Sequence, residues 1–295
     1  MDINKISFYY QKAIYNTSNK IIVIGDIHGD LKAFLTCLKK ARLIDNNNKW
    51  IGGNTNVVQM GDILDRKIRT SYISDEDSEF IIINIIKRLQ IESYLSGGSF
   101  HCLIGNHELM NIMGIFDYVS KLGIKHFGSL NERYNNLRPG TKFAKYLACF
   151  WNPIIKINNF LFVHGGINNN ISNNYNIKTI NYMMKKYLMG NMNYFNNNHF
   201  KILFLNDNSL LWNRDFSNNM FDKNILKNIL NNYGCKSLIV GHTPQEDGIN
   251  QFNNGLVWRV DTGMSESFGP NNFRRIQILE IQYLKNIDNY LYKII

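Results

Sequence analysis

Five short, mostly apolar runs recur along the chain, and each ends in a turn carrying Gly, Asp or His: IIVI (21–24), VVQM (57–60), FHCLI (100–104), FLFV (160–163) and SLIV (237–240). Runs this short and this continuous suit strands buried on both faces. Helical patterns lie between them. After Asp30, residues Leu31, Phe34, Leu35, Leu38 and Leu43 keep close to a 3.6-residue period, with Asp30 as the cap. Residues 77–95 (DSEFIIINIIKRLQIESYL) read as a second helix with Asp77 and Glu79 near its start, and 225–234 (ILKNILNNYG) as a third that stops at Gly234. Strands alternating with helices specify an α/β layered fold, and such folds bind ligands at the carboxyl ends of strands.

Residues 168–208 depart from this pattern. They are rich in Asn, Tyr and Met around a helical segment, IKTINYMMKKYLMG, and read as an insertion over the core, a lid or a substrate surface. No repeat and no linker divides the chain, so residues 1–295 are expected to form one domain with 168–208 inside it. That length can bury a sizeable core, and 44% hydrophobic and 13% aromatic residues argue against disorder.

The bulk chemistry narrows the function classes. A net charge of +10 favours anionic partners: phosphate esters, acidic protein segments or nucleic acid. The Lys and Arg are spread rather than clustered, so charge alone does not choose. The four cysteines, Cys37, Cys102, Cys149 and Cys235, form no CxxC pair and read as buried reduced thiols. A Cys-x5-Arg phosphatase loop is excluded, because the positions six beyond them are Leu43, Glu108, Ile155 and Gly241. No run approaches the roughly 18–20 apolar residues of a membrane span. The polar N-terminus lacks a signal-peptide core, which leaves the cytoplasm, or else the nucleus, as the default compartment. Short NNN clusters read as loop filler.

The turns after the strands carry the chemistry. A charged group at the edge of a core is costly unless something pairs with it. The first strand is followed by Asp26 and His28; the second by GDILDR, with Asp62, Asp65 and Arg66; the third by GNHE, with Asn106, His107 and Glu108; the fourth by HGG, with His164; the fifth by GHTP, with His242. Asp26, His28, Asp62, Asn106, His164 and His242 are good oxygen and nitrogen ligands for borderline divalent metals. Each motif alone is an ordinary turn. Five in order, each ending a strand, are not explained as five turns. A pair of metals about 3.5–4 Å apart needs a shared carboxylate, and a water between them becomes hydroxide at neutral pH.

The series GDIHGD, GDILDR, GNHE, HGG, GHT resembles the phosphoprotein phosphatase group of calcineurin-like metallophosphatases, from residue 20 to about 281. Longer stretches, WIGGNTNVVQMGDILDR, GNHELMN, LLWNRDF and HTPQEDGINQFNNGLVWRVDTGMSESFG, resemble its Shewanella-like, bacterial-like branch. The resemblance implies a metallophosphoesterase fold: a central β-sandwich flanked by helices, with a dinuclear site of Mn, Fe or Zn at the carboxyl ends of strands. Asp26, His28 and Asp62 would hold the first metal, and Asp62, Asn106, His164 and His242 the second. His107 would be the general acid, with Asp65 orienting its ring; Arg66 and Arg214 would bind phosphate oxygens. Asp30 and Glu108 are as suited to capping helices as to touching the site. The sequence departs from the group at Lys67, where Gly is usual, and at DTGMSESFG, which stands where eukaryotic members carry a toxin-binding loop. His101, His126 and His199 match no motif and read as structural or surface residues.

The chemistry agrees. Phosphoryl transfer needs positioning and charge neutralisation, which two cations and two arginines supply, and a His beside a carboxylate suits a leaving oxygen that needs a proton. The expected activity is hydrolysis of phosphoserine, phosphothreonine or phosphotyrosine in proteins, by direct attack of a metal-bridging hydroxide. Hydrolysis of dinucleoside polyphosphates or cap-type nucleotides shares the short motifs and is the alternative. A phosphoprotein-binding scaffold without activity ranks last, since every ligand is present. The expected partner is a phosphorylated protein, with no membrane and no nucleic acid.

Overall fold

The elements close into two packed six-stranded sheets in a computed structural model, which describes residues 3–71, 74–270, 274–285 and 288–295. In chain order the strands are β1 (Ile14–Tyr15), β2 (Ile21–Ile24), β3 (Asn56–Gln59), β4 (Ser99–Leu103), β5 (Trp151–Asn152), β6 (Ile154–Ile157), β7 (Phe160–Val163), β8 (Ser237–Val240), β9 (Asn250–Phe252), β10 (Val257–Arg259), β11 (Ile278–Leu284) and β12 (Asn289–Ile294). The α-helices are α1 (Ile3–Gln11), α2 (Leu31–Lys40), α3 (Glu79–Leu95), α4 (Asn106–Met113), α5 (Lys121–Lys125), α6 (Leu130–Leu137), α7 (Lys142–Phe150), α8 (Asn169–Asn174), α9 (Ile177–Leu188), α10 (Asn198–Phe204) and α11 (Lys223–Asn232).

One sheet has the order β12-β11-β2-β3-β4-β5 and the other β1-β6-β7-β8-β10-β9. In the first, β2, β3 and β4 run parallel, with Ile21 opposite Asn56 and Asn56 opposite Ser99. In the second, β7, β8 and β10 run parallel, with Phe160 opposite Ser237 and Val257 opposite Leu238. Each sheet thus presents three adjacent carboxyl ends.

The strand sequences explain the layering. Ile21, Val23, Val58, Leu103, Phe160, Phe162, Ile239 and Trp258 meet between the sheets. Their neighbours Ile22, Ile24, Val57, Phe100, Leu161, Val163, Leu238 and Val240 face the helices. Both faces are covered, so the runs read as continuously apolar, and each side chain contributes about 1.5–3 kcal/mol by burial. A one-residue slip would exchange the two faces of a strand, which fixes the register of the site-bearing ends.

Asp30 caps α2, its Oδ1 accepting from Ala33 N–H at 2.8 Å. The helix is shorter than its apolar period suggests. It ends at Lys40, Arg42 takes φ +56°, and Leu43 reaches the core from a turn. The third expected helix starts two residues early at Lys223, capped by Asp222, and stops before Gly234 at φ +61°. Residues 168–208 form α8, α9 and α10. Ile171, Ile180, Met184, Leu203 and Phe204 sink into the helix-covered core, and α9 and α8 pack on α7 and α11. No helix among the described residues is long and apolar enough to cross a membrane.

Candidate metal centre

The six parallel strand ends converge on one place. Asp26, Asp62 and Asn106 lie within three residues of the ends of β2, β3 and β4; His164, His242 and Asp261 lie within two of the ends of β7, β8 and β10. Two groups of donor atoms, His28–Asp62–His107 and Asp62–His164–His242, are each within 4.8 Å of one another, and Asp62 belongs to both. Asp62 Oδ2 is 3.3 Å from His164 Nε2, and 3.8 Å from both His28 Nε2 and His107 Nε2. Asn106 Oδ1 is 2.9 Å from His164 Nε2. Asp26 joins through His242, whose N–H donates to Asp26 Oδ2 at 3.0 Å.

These donors fit a cation. Asp26 Oδ1 and His242 Nε2 are buried without a hydrogen-bond partner. The Nδ1 atoms of His28 and His164 sit 3.1 and 2.8 Å from the carbonyls of Leu64 and Met60. With the proton there, Nε2 of each ring keeps its lone pair for a metal. Burial, with the neighbouring Asp261 and Asp62 charges, holds the Asp26 carboxyl well above the usual range. Burial acts the same way on Asp62 but is outweighed by the rings of His164, His107 and His28, so its pKa falls well below normal. Burial, reinforced by the cationic neighbours Arg69 and His107, holds His28 well below its ordinary value. Burial and His164 push His242 down to about 2. His28 and His242 are thereby held as the neutral imidazoles that bind metal, whereas Asp62 outweighs burial at His164 and raises its pKa.

The local backbone is bent to make this possible. His28, Asp62, Asp65 and His242 all take positive φ, between +44° and +73°. Non-Gly residues held this way cost about 1–3 kcal/mol each and persist only where surroundings enforce them. Glu108 is one enforcer. Its Oε2 accepts from the N–H groups of Asp62 and Gly105, both at 2.9 Å, and its Oε1 from Ile63 at 2.8 Å and Leu64 at 3.1 Å. Glu108 therefore folds the turn that carries Asp62, as well as capping α4. Gly105 is required there: a Cβ would lie 2.1 Å from Asp62 Oδ1.

His107 lies at the edge of this cluster. Its Nδ1 is 2.6 Å from Asp65 Oδ2. Burial would lower its pKa, but Asp62 and Asp65 outweigh that and raise it.

Of the two arginines expected at the site, Arg66 lies elsewhere. The Arg66 guanidinium is buried among Asp30 Oδ2 at 2.9 Å, Ser265 Oγ at 2.8 Å, Ser74 Oγ at 3.1 Å and Glu266 Oε2 at 3.6 Å. It turns away from the cavity because Asp65, at φ +73°, redirects the chain just before it. Arg69 takes its place on the cavity wall, with Nη2 3.3 Å from His28 Nδ1 and the guanidinium stacked 4.5 Å from the Phe268 ring. Lys67 points outward, its Nζ donating to Asp117 O at 2.7 Å. Arg214 lines the same cavity of about 290 Å³ and donates to Thr243 Oγ1 at 2.9 Å.

Three aromatic rings complete the wall: Tyr118 at 5.0 Å from His107, Phe268 at 5.3 Å from His28 and Trp212 at 6.0 Å from His242. Arg69, these rings and Asp261 escape the motif reading. For Asp261 the signal was a sixth strand, VWRV, whose Arg259 interrupts the apolar run. Asp30 caps α2 and pairs with Arg66. His101 is buried against Tyr9, Tyr10 and Tyr15, while His126 and His199 are exposed.

The model of the calcineurin-like phosphoesterase family matches residues 19–246. The chain belongs to that family. Calcineurin-like phosphoesterases use a dinuclear metal site, and this phosphoesterase has candidate ligands for one. It is 34% identical over 268 residues to Shewanella-like protein phosphatase 1 of Plasmodium berghei, covering 88% of this chain and 71% of that one. It is 29% identical over 300 residues to Shewanella-like protein phosphatase 2 of Arabidopsis thaliana, covering 85% and 73%. Within the family it belongs to this Shewanella-like branch. The crystal structure of a cold-active protein-tyrosine phosphatase from a psychrophilic Shewanella superposes with a TM-score of 0.78, at 26% identity over 95% of this chain and 82% of that one.

Proposed function

We propose that this phosphoesterase is a metal-dependent phosphoprotein phosphatase, and that phosphotyrosine is its favoured substrate class. The His107–Asp65 pair at the rim of two overlapping His/Asp clusters carries the reading. The Shewanella-like relatives and the protein-tyrosine phosphatase neighbour support it.

In this reading Asp26, His28 and Asp62 would hold one cation and Asp62, Asn106, His164 and His242 the other. Bound cations would neutralise the phosphate and acidify a water. A donor set of imidazole, carboxylate and amide without thiolate suits Mn, Fe or Zn. Arg69 and Arg214 bind phosphoryl oxygens from the cavity wall. The reaction adds water across the P–O ester bond: the phosphoryl group leaves as inorganic phosphate, and His107 passes its Nε2 proton to the departing oxygen. Asp65 Oδ2 accepts from the Nδ1–H of His107 and keeps that proton in place. No covalent phosphoenzyme is needed. Tyr118, Trp212 and Phe268 give the cavity apolar walls that suit an aryl leaving group. Residues 1–295 act as one catalytic domain, with 168–208 as its helical cover.

The test is phosphate release at neutral pH from phosphotyrosine and phosphothreonine peptides and from diadenosine tetraphosphate, with Mn²⁺ and with EDTA. Metal-dependent release from the phosphotyrosine peptide, faster than from phosphothreonine, is expected. Cleavage of the dinucleotide alone would transfer the site to nucleotide hydrolysis.

A further inference from the structure

Behind His107 lies a closed ring of buried hydrogen bonds that touches neither the candidate ligands' donor atoms nor the cavity. His107 Nδ1 meets Asp65 Oδ2 at 2.6 Å. Asp65 Oδ1 accepts from Asn111 Nδ2 at 2.8 Å, and Asn111 Oδ1 accepts from Arg133 Nε at 2.8 Å. Arg133 Nη2 donates to Glu79 Oε2 at 2.8 Å, and Glu79 Oε1 accepts from the N–H of Asp65 at 2.8 Å, which closes the ring. Arg133 Nη1 is spent on Gly123 O at 2.9 Å. Asp65, Asn111 and Arg133 are fully buried, and Glu79 is 2% exposed. Phe80 and Phe127 flank the guanidinium at 6.0 and 5.5 Å.

Stability alone does not explain such a ring. A buried Arg–Glu pair contributes little over well-packed apolar side chains of the same volume. What apolar side chains cannot do is orient an amide. Arg133 is a donor only, so Asn111 must turn its oxygen to Arg133 and its nitrogen to Asp65. That occupies Asp65 Oδ1 and leaves Oδ2 for the N–H of His107. The second Asn111 Nδ2 bond, to His107 O at 2.9 Å, ties the same amide to the backbone of the residue it serves.

We infer that Arg133 is a positioning residue for the general acid, setting the ring of His107 through Asn111 and Asp65. The inference rests on the reading of His107 as proton donor. A ring rotated off the leaving oxygen loses most where the leaving oxygen most needs a proton.

The experiment compares kcat on 2,4-dinitrophenyl phosphate, whose phenolate leaves unassisted, with kcat on phenyl phosphate, whose phenolate needs a proton. Wild type, Arg133→Met, His107→Asn and the double variant are measured, with metal content followed by elemental analysis. Arg133→Met is expected to lose about 10- to 100-fold on phenyl phosphate and less than about threefold on dinitrophenyl phosphate, with metal content unchanged. In the His107→Asn background it should cost nothing further. Asn111→Leu breaks the same chain one link nearer and should show the same split, which covers the case in which Arg133→Met does not fold. Equal losses on both substrates, or additive losses in the double variant, overturn the inference. A flat profile for His107→Asn itself overturns the reading of His107 as acid; a sloped one beside flat Arg133 and Asn111 variants overturns only the role of Arg133.

Discussion

The N–H of His242 donates to Asp26 Oδ2 at 3.0 Å and so links the end of β8 in one sheet to the end of β2 in the other. The other oxygen of Asp26 and the Nε2 of His242 have no partner of their own. A cation held by these residues would add a further link between the sheets at this end, beside the contacts of His164 with Met60 O and Asn106 Oδ1. Chelation should therefore lower the melting temperature. Ions at about 100 times their Kd contribute about 2.7 kcal/mol, which for a chain of this size is several degrees. Asp26→Ala should remove part of that shift and one equivalent of metal. Identical melts with Mn²⁺ and with EDTA would sink the assignment.

Arg66 and Arg69 should separate cleanly. Arg66→Met removes one of the two guanidinium groups on buried Asp30, leaving Arg274 Nη1 at 3.2 Å, and should cost about 1–3 kcal/mol of stability. Arg69→Met should leave the melt nearly unchanged and lower kcat/KM for a phosphopeptide by about 100-fold. Denaturant unfolding beside steady-state kinetics reads both. The reverse pattern would return the phosphate to Arg66.

Gly105→Ala tests the turn that Glu108 folds. The added methyl would lie 2.1 Å from Asp62 Oδ1 and 2.6 Å from Asp62 N. Neither can yield without displacing the carboxylate both donor groups share, so metal binding should weaken at both positions. Elemental analysis that still finds two equivalents, with activity intact, would show that Asp62 has more freedom than this geometry allows.

His101 makes a pH prediction far from the site. It is buried with neither ring nitrogen hydrogen-bonded, and burial lowers its pKa to about 3. The unfolded chain protonates it near pH 6.5 and the folded chain does not, so this residue's contribution is intact above pH 6.5 and is lost as pH falls towards 3. The slope is about 1.4 kcal/mol per pH unit. His101→Phe, in a pocket already lined by Tyr9, Tyr10 and Tyr15, should flatten stability between pH 6.5 and 5 in urea titrations. An unchanged slope would mean that the imidazole finds a proton acceptor.

The candidate ligands were legible because the signal is local: an apolar run marks a strand, and the polar residue just after it marks the functional end. Asp261 follows the same rule but was hidden by Arg259, a buried cation at the end of its strand that bonds to Asn250 Oδ1 at 2.8 Å and to Asn218 O at 2.5 Å. The choice between Arg66 and Arg69 was not legible, since neighbours in sequence diverge when Asp65 takes φ +73°. Nor was the ring behind His107 legible, because Glu79, Asn111 and Arg133 come from three helices and meet only through tertiary packing. The β11–β12 hairpin carried no chemical marker and went unread.

The convergence of three strand ends from each sheet also makes the sandwich asymmetric from end to end. Bound ions would clasp it at the carboxyl ends of β2, β3, β4, β7, β8 and β10, while the opposite end relies on side-chain packing and on hydrogen bonds such as the pair between Asn158 and Thr17. The metal-loaded molecule should open like a book with a riveted spine. Amide hydrogen exchange should slow most on metal addition at Gly61–Leu64 and Gly241–Thr243, and least at the strand starts near Ile21 and Ser237.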